Sequence, residues 1–299
     1  MRLQPEMDGV RMVDVPGGRV WTRCVAGGDG IPLVLLHGGP GCPSAYLGPF
    51  EALAADRPVL FYDQLGCGES DRPDDTDLWR IERYVRELEA VVDSLGDGPV
   101  HLLGHSWGSM LGIDYALAHP ERVASLILAS PCLSMDRVRA DMARLKAALP
   151  AAVLAMIERC EGEGKTGSGA YQAAALVFYR RHLCRLPVWP DPLVRAEAQW
   201  GWDVYHTMWG PAEFTPSGNL AGFEREDRLG ELGCPVLYTC GRHDEITPES
   251  TAAYHARTPG SELRVFEESA HLQHLEEEAA YLETVRDFLV RAEAQACVA

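Results

Sequence analysis

Short apolar runs alternate with longer amphipathic stretches along most of the chain. Two early runs, at 10–15 and 19–26, flank a Pro-Gly-Gly turn and predict an antiparallel hairpin. Six nearly continuous apolar runs follow, at 32–39, 58–64, 99–106, 123–130, 235–241 and 262–269. Runs of this kind are typical of strands that are buried on both faces of a sheet.

Helical patterns lie between and after these runs. They cover residues 78–95, 107–119, 135–160, 171–185 and 276–294. The second pattern stops at Pro120, which cannot continue a helix. The alternation of strands and helices predicts a mostly parallel sheet with helices on both faces.

The alternation stops after Ser130, and from about residue 135 helical patterns continue without a convincing strand pattern. We therefore predict an α/β core made of residues 1–134 and 231–299, with a helical cap at 135–230 inserted between its two parts. Four of the seven tryptophans fall within this cap, namely Trp189, Trp200, Trp202 and Trp209.

Composition and charge narrow the class of protein. The 299 residues are 46% hydrophobic and 24% charged, which is typical of a soluble globular protein. Lys+Arg 27 against Asp+Glu 44 gives a net charge of −17, which argues against nucleic acid as a partner. The segment MRLQPEMDGV lacks the features of a signal peptide, and no apolar run has the length of a membrane span. We expect a cytoplasmic protein without a membrane partner.

The nine cysteines are scattered and form no Cys-x-x-Cys pair. This pattern predicts reduced thiols and no disulfide framework. A metal site formed by His243, His271 and His274 is not expected, because the sequence around them shows no spacing typical of metal ligands. We therefore expect neither a metal ion nor another cofactor.

The motif GHSWG at 104–108 fits Gly-x-Ser-x-Gly at the point where a predicted strand ends and a helix begins. A sharp turn there raises a serine above the sheet, and the glycines give room for its strained backbone. Ser106 is therefore the candidate nucleophile. The turn HGGPG at 37–41 follows another strand, so we expect the backbone N–H groups of Gly39 and Trp107 to bind an oxyanion.

Two later strands end in GRHDEITP and SAHLQHLE, which supply Asp244 and His271. Loops at the carboxyl ends of parallel strands form the site in this architecture, and Ser, Asp, His is the chain order expected for this fold. His243 and His274 compete for the role of base, but His271 directly follows its strand. His37 and His105 are expected to make structural hydrogen bonds.

Five motifs occur in order around the cap, namely HGGPG, DQLGCGES, GHSWGSM, GRHDEITP and SAHLQHLE. Over residues 30–276 the chain closely resembles the proline iminopeptidase family of α/β-hydrolases. The resemblance implies that GPAEFTPSGNL in the cap supplies Glu213, and that Glu213 and Glu245 hold the free α-amine of a substrate. Asp63, Gln64 and Ser70 of DQLGCGES are assigned to the scaffold.

The resemblance also implies a reaction. A serine hydrolase of this type cleaves an N-terminal amino acid from a peptide, an amide or an aminoacylated small molecule such as a natural-product intermediate, through an acyl-enzyme. Three alternatives stay open, namely acyl transfer, ester hydrolysis, and a ligand receptor that keeps the pocket without the reaction. The preferred side chain, the leaving group and the oligomeric state are not legible in the sequence.

Overall fold

The structure is a computed structural model and describes residues 8–296. In this part of the chain, strands form at β1 (Gly9–Val15), β2 (Gly18–Val25), β3 (Leu33–Leu36), β4 (Val59–Tyr62), β5 (Val100–His105), β6 (Val123–Ala129), β7 (Val236–Gly241) and β8 (Glu262–Phe266). They form one sheet in the order β1-β2-β4-β3-β5-β6-β7-β8. The hairpin β1-β2 adds to β4 in antiparallel fashion, and the strands from β4 to β8 are parallel. Each predicted strand is confirmed.

Helices form at α1 (Ile81–Asp93), α2 (Trp107–Ala118), α3 (Met135–Ala147), α4 (Ala151–Gly162), α5 (Gly169–His182), α6 (Asp191–Ala198), α7 (Trp202–Met208), α8 (Pro248–Arg257), α9 (Gln273–Glu276) and α10 (Glu278–Ala296). The prediction of one helix over 135–160 is wrong, because Pro150 separates α3 from α4. Proline lacks the N–H that the helical ladder needs, and its ring clashes with the preceding turn.

Both faces of the sheet carry apolar layers. On one face, α1 and α2 contribute buried side chains such as Tyr84, Leu88 and Met110. On the other face, α10 packs Val285 and Phe288 against the sheet and a 3-10 segment at Ser44–Ala55. Burial on both sides explains why the strands are continuously apolar.

Between β6 and β7 the described residues form α3 to α7, 3-10 turns, and no strand beyond an isolated bridge of Ser134 with Glu224. The boundaries of the cap as a domain stay a prediction. No helix within residues 8–296 has both the length and the apolarity needed to cross a bilayer. Eight cysteines in this part of the chain are free thiols, and Cys297 lies outside the described residues.

The strand register brings the candidate motifs to one edge. His105 at the end of β5 pairs with Ala129 of β6, and Ala129 pairs with Thr239 of β7. The residues that follow these strands therefore emerge side by side at the carboxyl edge of the sheet.

Candidate active site

Ser106 occupies a strained turn between β5 and α2. Its φ of 55° and ψ of −121° are sparsely populated by residues other than glycine, and such strain typically costs about 1–3 kcal/mol. A Cβ at Gly104 would overlap the carbonyl oxygen of Gly108, and one at Gly108 would overlap that of Leu36. The two glycines of the motif are therefore required by the close approach of strand and helix.

Hydrogen bonds hold this turn on several sides. The Ser106 N–H donates to the Ala129 carbonyl at 2.9 Å, and the Ser109 hydroxyl donates to the Ser106 carbonyl at 2.5 Å. The Trp107 indole N–H donates to Gln64 Oε1 at 2.8 Å. These contacts fix the backbone that presents the Ser106 hydroxyl.

The glycine turn lies against this serine, since a Cβ added at Gly38 would be 3.1 Å from Ser106 Cβ. Gly39 has a φ of 107°, and its N–H donates no hydrogen bond within residues 8–296. Trp107 is the first residue of α2, where backbone N–H groups have no intrahelical acceptor and the helix dipole is positive. Both N–H groups are therefore available donors next to Ser106.

Asp244 and His271 meet as the sequence predicts. His271 Nδ1 lies 2.8 Å from Asp244 Oδ1, and both side chains are buried. Asp244 Oδ1 also accepts the N–H of Ile246 at 2.9 Å. Ser106 Oγ makes no hydrogen bond to His271 among the described residues, and such catalytic contacts often tighten only when substrate binds.

Two residues that support Asp244 were not identified from the sequence. Asp244 Oδ2 accepts the Ser130 hydroxyl at 2.6 Å and Gln273 Nε2 at 3.1 Å. Ser130 follows β6 directly and has a φ of 49°, while Gln273 lies within SAHLQHLE. The sequence signal for Ser130 is its place directly after a strand, and the signal for Gln273 is its place within the motif that contains His271.

Three other histidines near the site have structural partners. His105 contacts the Tyr46 hydroxyl and the His271 carbonyl, each at 2.9 Å. His274 lies in α9, and its Nε2 is 3.2 Å from the Tyr46 carbonyl. His37 accepts the Gln64 N–H at 2.9 Å. The geometry therefore leaves His271 as the only one of these four imidazoles that contacts Asp244.

Glu213 lines a cavity of about 730 Å³ in the cap. The aromatic part of its wall consists of Tyr171, Tyr179, Trp189, Trp200, Trp202 and Tyr205. The Tyr205 hydroxyl donates to Glu213 Oε1 at 3.0 Å, a contact that the sequence did not reveal. Burial raises the pKa of Glu213 to about 7, against smaller lowering effects of His271 and Tyr205.

Glu245 lies near Nε2 of the His271 imidazole, whereas Asp244 contacts Nδ1 of the same ring. It is 1% exposed, and its Oε1 is 3.7 Å from His271 Nε2. Its Oε2 is buried without a hydrogen-bond partner among the described residues. Burial raises the pKa of Glu245 well above its usual value, and Glu213 and Asp244 raise it further. A buried carboxylate of this kind needs a cation or donor from a ligand.

The acidic surroundings also act on His271. Burial by itself lowers its pKa, but the carboxylates of Asp244, Glu245 and Glu213 outweigh burial and raise the pKa to about 9. The protonation state of this imidazole is therefore linked to those of the carboxyl groups of Glu213 and Glu245.

The motif DQLGCGES holds the scaffold together. Asp63 Oδ1 accepts the Ser44 N–H at 2.8 Å, and the Ser70 hydroxyl donates to the Asp63 carbonyl at 2.5 Å. Gln64 acts on the site only indirectly, through Trp107 and His37. These contacts agree with the assignment of the motif to the scaffold.

Comparison with known proteins places this geometry in a family. The family model described as alpha/beta hydrolase fold matches residues 31–278. A proline iminopeptidase of Heyndrickxia coagulans is 47% identical over 279 residues, which cover 93% of this chain and 97% of the relative. A proline iminopeptidase of Lactobacillus delbrueckii subsp. bulgaricus is 39% identical over 92% of this chain and 96% of its own length.

Solved structures agree with these relatives. The crystal structure of a proline iminopeptidase from Mycobacterium smegmatis superposes with a TM-score of 0.88 at 35% identity, covering 96% of this chain and all of that chain. The crystal structure of VinJ superposes with a TM-score of 0.90 at 35% identity, covering 95% and 99% of the two chains. With this extent of likeness, the chain belongs to the proline iminopeptidase family of α/β-hydrolases.

Proposed function

We propose that this protein is a serine aminopeptidase that releases an N-terminal amino acid by hydrolysing the amide or ester bond behind it. The observation that carries the proposal is that the Glu245 carboxylate lies 3.7 Å from the imidazole that contacts Asp244, while the charge of Glu213 acts on the pKa of the same imidazole. An ammonium group satisfies such carboxylates through charge-assisted hydrogen bonds.

The first half of the reaction transfers the aminoacyl group to the enzyme. Glu213 and Glu245 hold the α-ammonium group, which places the adjacent carbonyl carbon at Ser106. His271 Nε2 takes the proton of the Ser106 hydroxyl as its oxygen attacks this carbon. The backbone N–H groups of Gly39 and Trp107 stabilise the resulting oxyanion.

The imidazolium of His271 gives its proton to the departing amine, which completes the first half and leaves Ser106 acylated. The second half returns the enzyme to its starting state. A water molecule attacks the ester while His271 takes its proton, and the imidazolium then returns this proton to the Ser106 oxygen as the free amino acid departs. Asp244 keeps the ring oriented and stabilises its cationic form in both halves.

The aromatic cavity that Glu213 lines indicates the size of the substrate. Its volume of about 730 Å³ lies in the range of cavities that take drug-sized ligands. We assign it to the apolar part of a short peptide or of an aminoacylated small molecule.

A panel of aminoacyl arylamides that vary in side chain tests this function. We expect the wild-type protein to release the arylamine from at least one member, and Ser106→Ala to release none. An added amine acceptor measures acyl transfer, because transfer makes a new amide in place of the free amino acid. Failure to cleave any α-amino substrate, combined with rapid cleavage of amine-free esters, would instead favour an esterase.

We also propose a cytoplasmic location. The free thiols of the eight described cysteines support it, since reduced cysteines are typical of that compartment.

A further inference from the structure

One imidazole faces three carboxylates in this site. His271 Nδ1 contacts Asp244 at 2.8 Å, its Nε2 lies 3.7 Å from Glu245, and Glu213 is the third carboxylate that acts on it. Within residues 8–296, none of these carboxylates forms an ion pair with lysine or arginine. Burial raises the pKa values of Glu213 and Glu245 and so favours their protonated forms, and among the described residues a protonated His271 is the cation beside them that stabilises their ionised forms in the free protein.

The other groups around His271 supply no positive charge. The His105 ring lies 4.7 Å from the His271 ring, and burial lowers the pKa of both His105 and His274, which keeps these imidazoles neutral. Burial raises the pKa values of Cys132 and Tyr179 well above their usual ranges, so these groups are neutral as well.

This charge balance conflicts with catalysis. A general base must be unprotonated to accept the proton of Ser106. The carboxylates raise the pKa of His271 to about 9, so its protonated and inactive form predominates in the free protein at neutral pH. The same carboxylates are the proposed ligands of the substrate ammonium group.

We propose that the substrate's α-ammonium group replaces the Nε2 proton of His271 as the cation held by Glu213 and Glu245, so that amine binding itself activates the base. This inference rests on the proposed function. One positive charge enters as the ammonium group, and one proton leaves from Nε2 to solvent. The Nδ1 proton stays in its hydrogen bond to Asp244, and neutral Nε2 is then free to accept the Ser106 proton.

The coupling makes selection for α-amines a property of the chemical step as well as of binding. A substrate without the amine meets a base that is still protonated, whatever its affinity. Its turnover is consequently slow at neutral pH and recovers as alkali removes the proton.

Glu245→Gln separates this coupling from simple binding. The variant removes a carboxylate that holds the proton on His271, so hydrolysis of p-nitrophenyl acetate, which has no amine, should become faster at neutral pH. We expect the acidic limb of its rate profile to move down by about one pH unit, which corresponds to about tenfold in rate. Cleavage of an aminoacyl arylamide should fall in the same variant.

Glu249→Gln is the matched control, because Glu249 is an exposed carboxylate four residues further along the chain. It should leave both profiles unchanged. An unchanged or slower ester reaction in Glu245→Gln would overturn the coupling. If the wild-type protein does not cleave arylamides, or if Ser106→Ala still cleaves them, the proposed function itself is overturned.

A second measurement detects the released proton directly. Binding of L-alaninol, an amine without a carbonyl group, should release close to one proton per site at about pH 8, and this release should be absent in His271→Gln, measured by calorimetry in buffers of different ionisation enthalpy. Binding without proton release would contradict the replacement.

Discussion

Two groups of serine, histidine and carboxylate lie at opposite ends of the same parallel strands. At the carboxyl edge are Ser106, His271 and Asp244. At the amino edge, His101 Nδ1 lies 2.7 Å from Ser125 Oγ and its Nε2 lies 3.2 Å from Glu293 Oε1. The amino-edge group has the more complete hydrogen bonding, but its serine is fully buried.

Backbone and access distinguish the two serines. Ser125 is fully buried within strand β6, whereas Ser106 is 7% exposed on a strained turn beside two available N–H donors. A nucleophile needs room for a substrate and donors for the oxyanion, and only the carboxyl edge supplies them.

Charge balance distinguishes the two histidines. Arg57 lies 2.6 Å from Glu293 and supplies the cation at the amino edge. Burial lowers the pKa of His101, and the His101 hydrogen bond, with help from Arg57, lowers the pKa of Glu293 to about 2. At the carboxyl edge, no arginine among residues 8–296 pairs with Asp244 or Glu245. The imidazole of His271 is their partner instead. Closely related residue types thus form a structural clamp in one place and the proposed reactive group in the other.

The largest expected effect comes from alanine at each serine. Ser106→Ala should lower kcat by roughly a million-fold, as is typical when a triad nucleophile is lost. Ser125→Ala should leave kcat within about twofold and lower the free energy of unfolding by about 1 kcal/mol, the usual value of one hydrogen bond. Arylamide kinetics and urea denaturation of both variants measure this. A large loss of kcat in Ser125→Ala would abolish the distinction.

Glu213→Gln tests the anionic character of the carboxyl edge. Loss of this charge should lower kcat/KM for α-amino substrates by about 2–5 kcal/mol, or roughly thirty-fold to several thousand-fold. Hydrolysis of a small amine-free ester should not fall, because Ser106, His271 and Asp244 remain. Equal losses on both substrate types would show that Glu213 supports the fold and not the ammonium group.

Glu293→Gln tests the clamp at the amino edge. The folded-state pKa of Glu293 is depressed, so its contribution to stability is present above about pH 4.5 and is lost as pH falls towards about 2. The variant should lower the free energy of unfolding by about 1–3 kcal/mol at neutral pH and by less at about pH 3. Chemical denaturation at both pH values checks this. Unaltered stability at neutral pH would mean that the clamp contributes nothing.

The smallest expected effect is that of Tyr205→Phe. It removes one hydrogen bond to Glu213, which is worth about 0.5–1.5 kcal/mol, and should lower kcat/KM for α-amino substrates by about two- to tenfold. Tyr115→Phe is a suitable control, because Tyr115 is a buried tyrosine near the C-terminal end of α2. A loss that extends equally to amine-free esters would indicate a disturbed cap.

Much of the carboxyl edge could be predicted from the sequence, since local patterns determine it. Buried apolar runs mark strand ends, and the glycines around Ser106 mark a turn that no larger residue fits. The break at Pro150 has an equally local cause, because proline interrupts the helical ladder.

Other contacts depend on how distant elements dock. Tyr205 reaches Glu213 through the path of the cap, and Glu293 meets His101 across 192 residues when α10 packs on the sheet. The raised pKa of His271 likewise results from carboxylates on two separate segments. No periodicity in the chain encodes such meetings, because they follow from strand register and helix packing.

The most direct test is to locate the covalent adduct of a diphenyl α-aminoalkyl phosphonate by mass spectrometry of the digested protein. The account predicts one adduct, on the peptide that contains Ser106, formed at least about thirty-fold faster than with the analogue that lacks the amine. An adduct on Ser125 or another residue, or equal rates with both phosphonates, would contradict it.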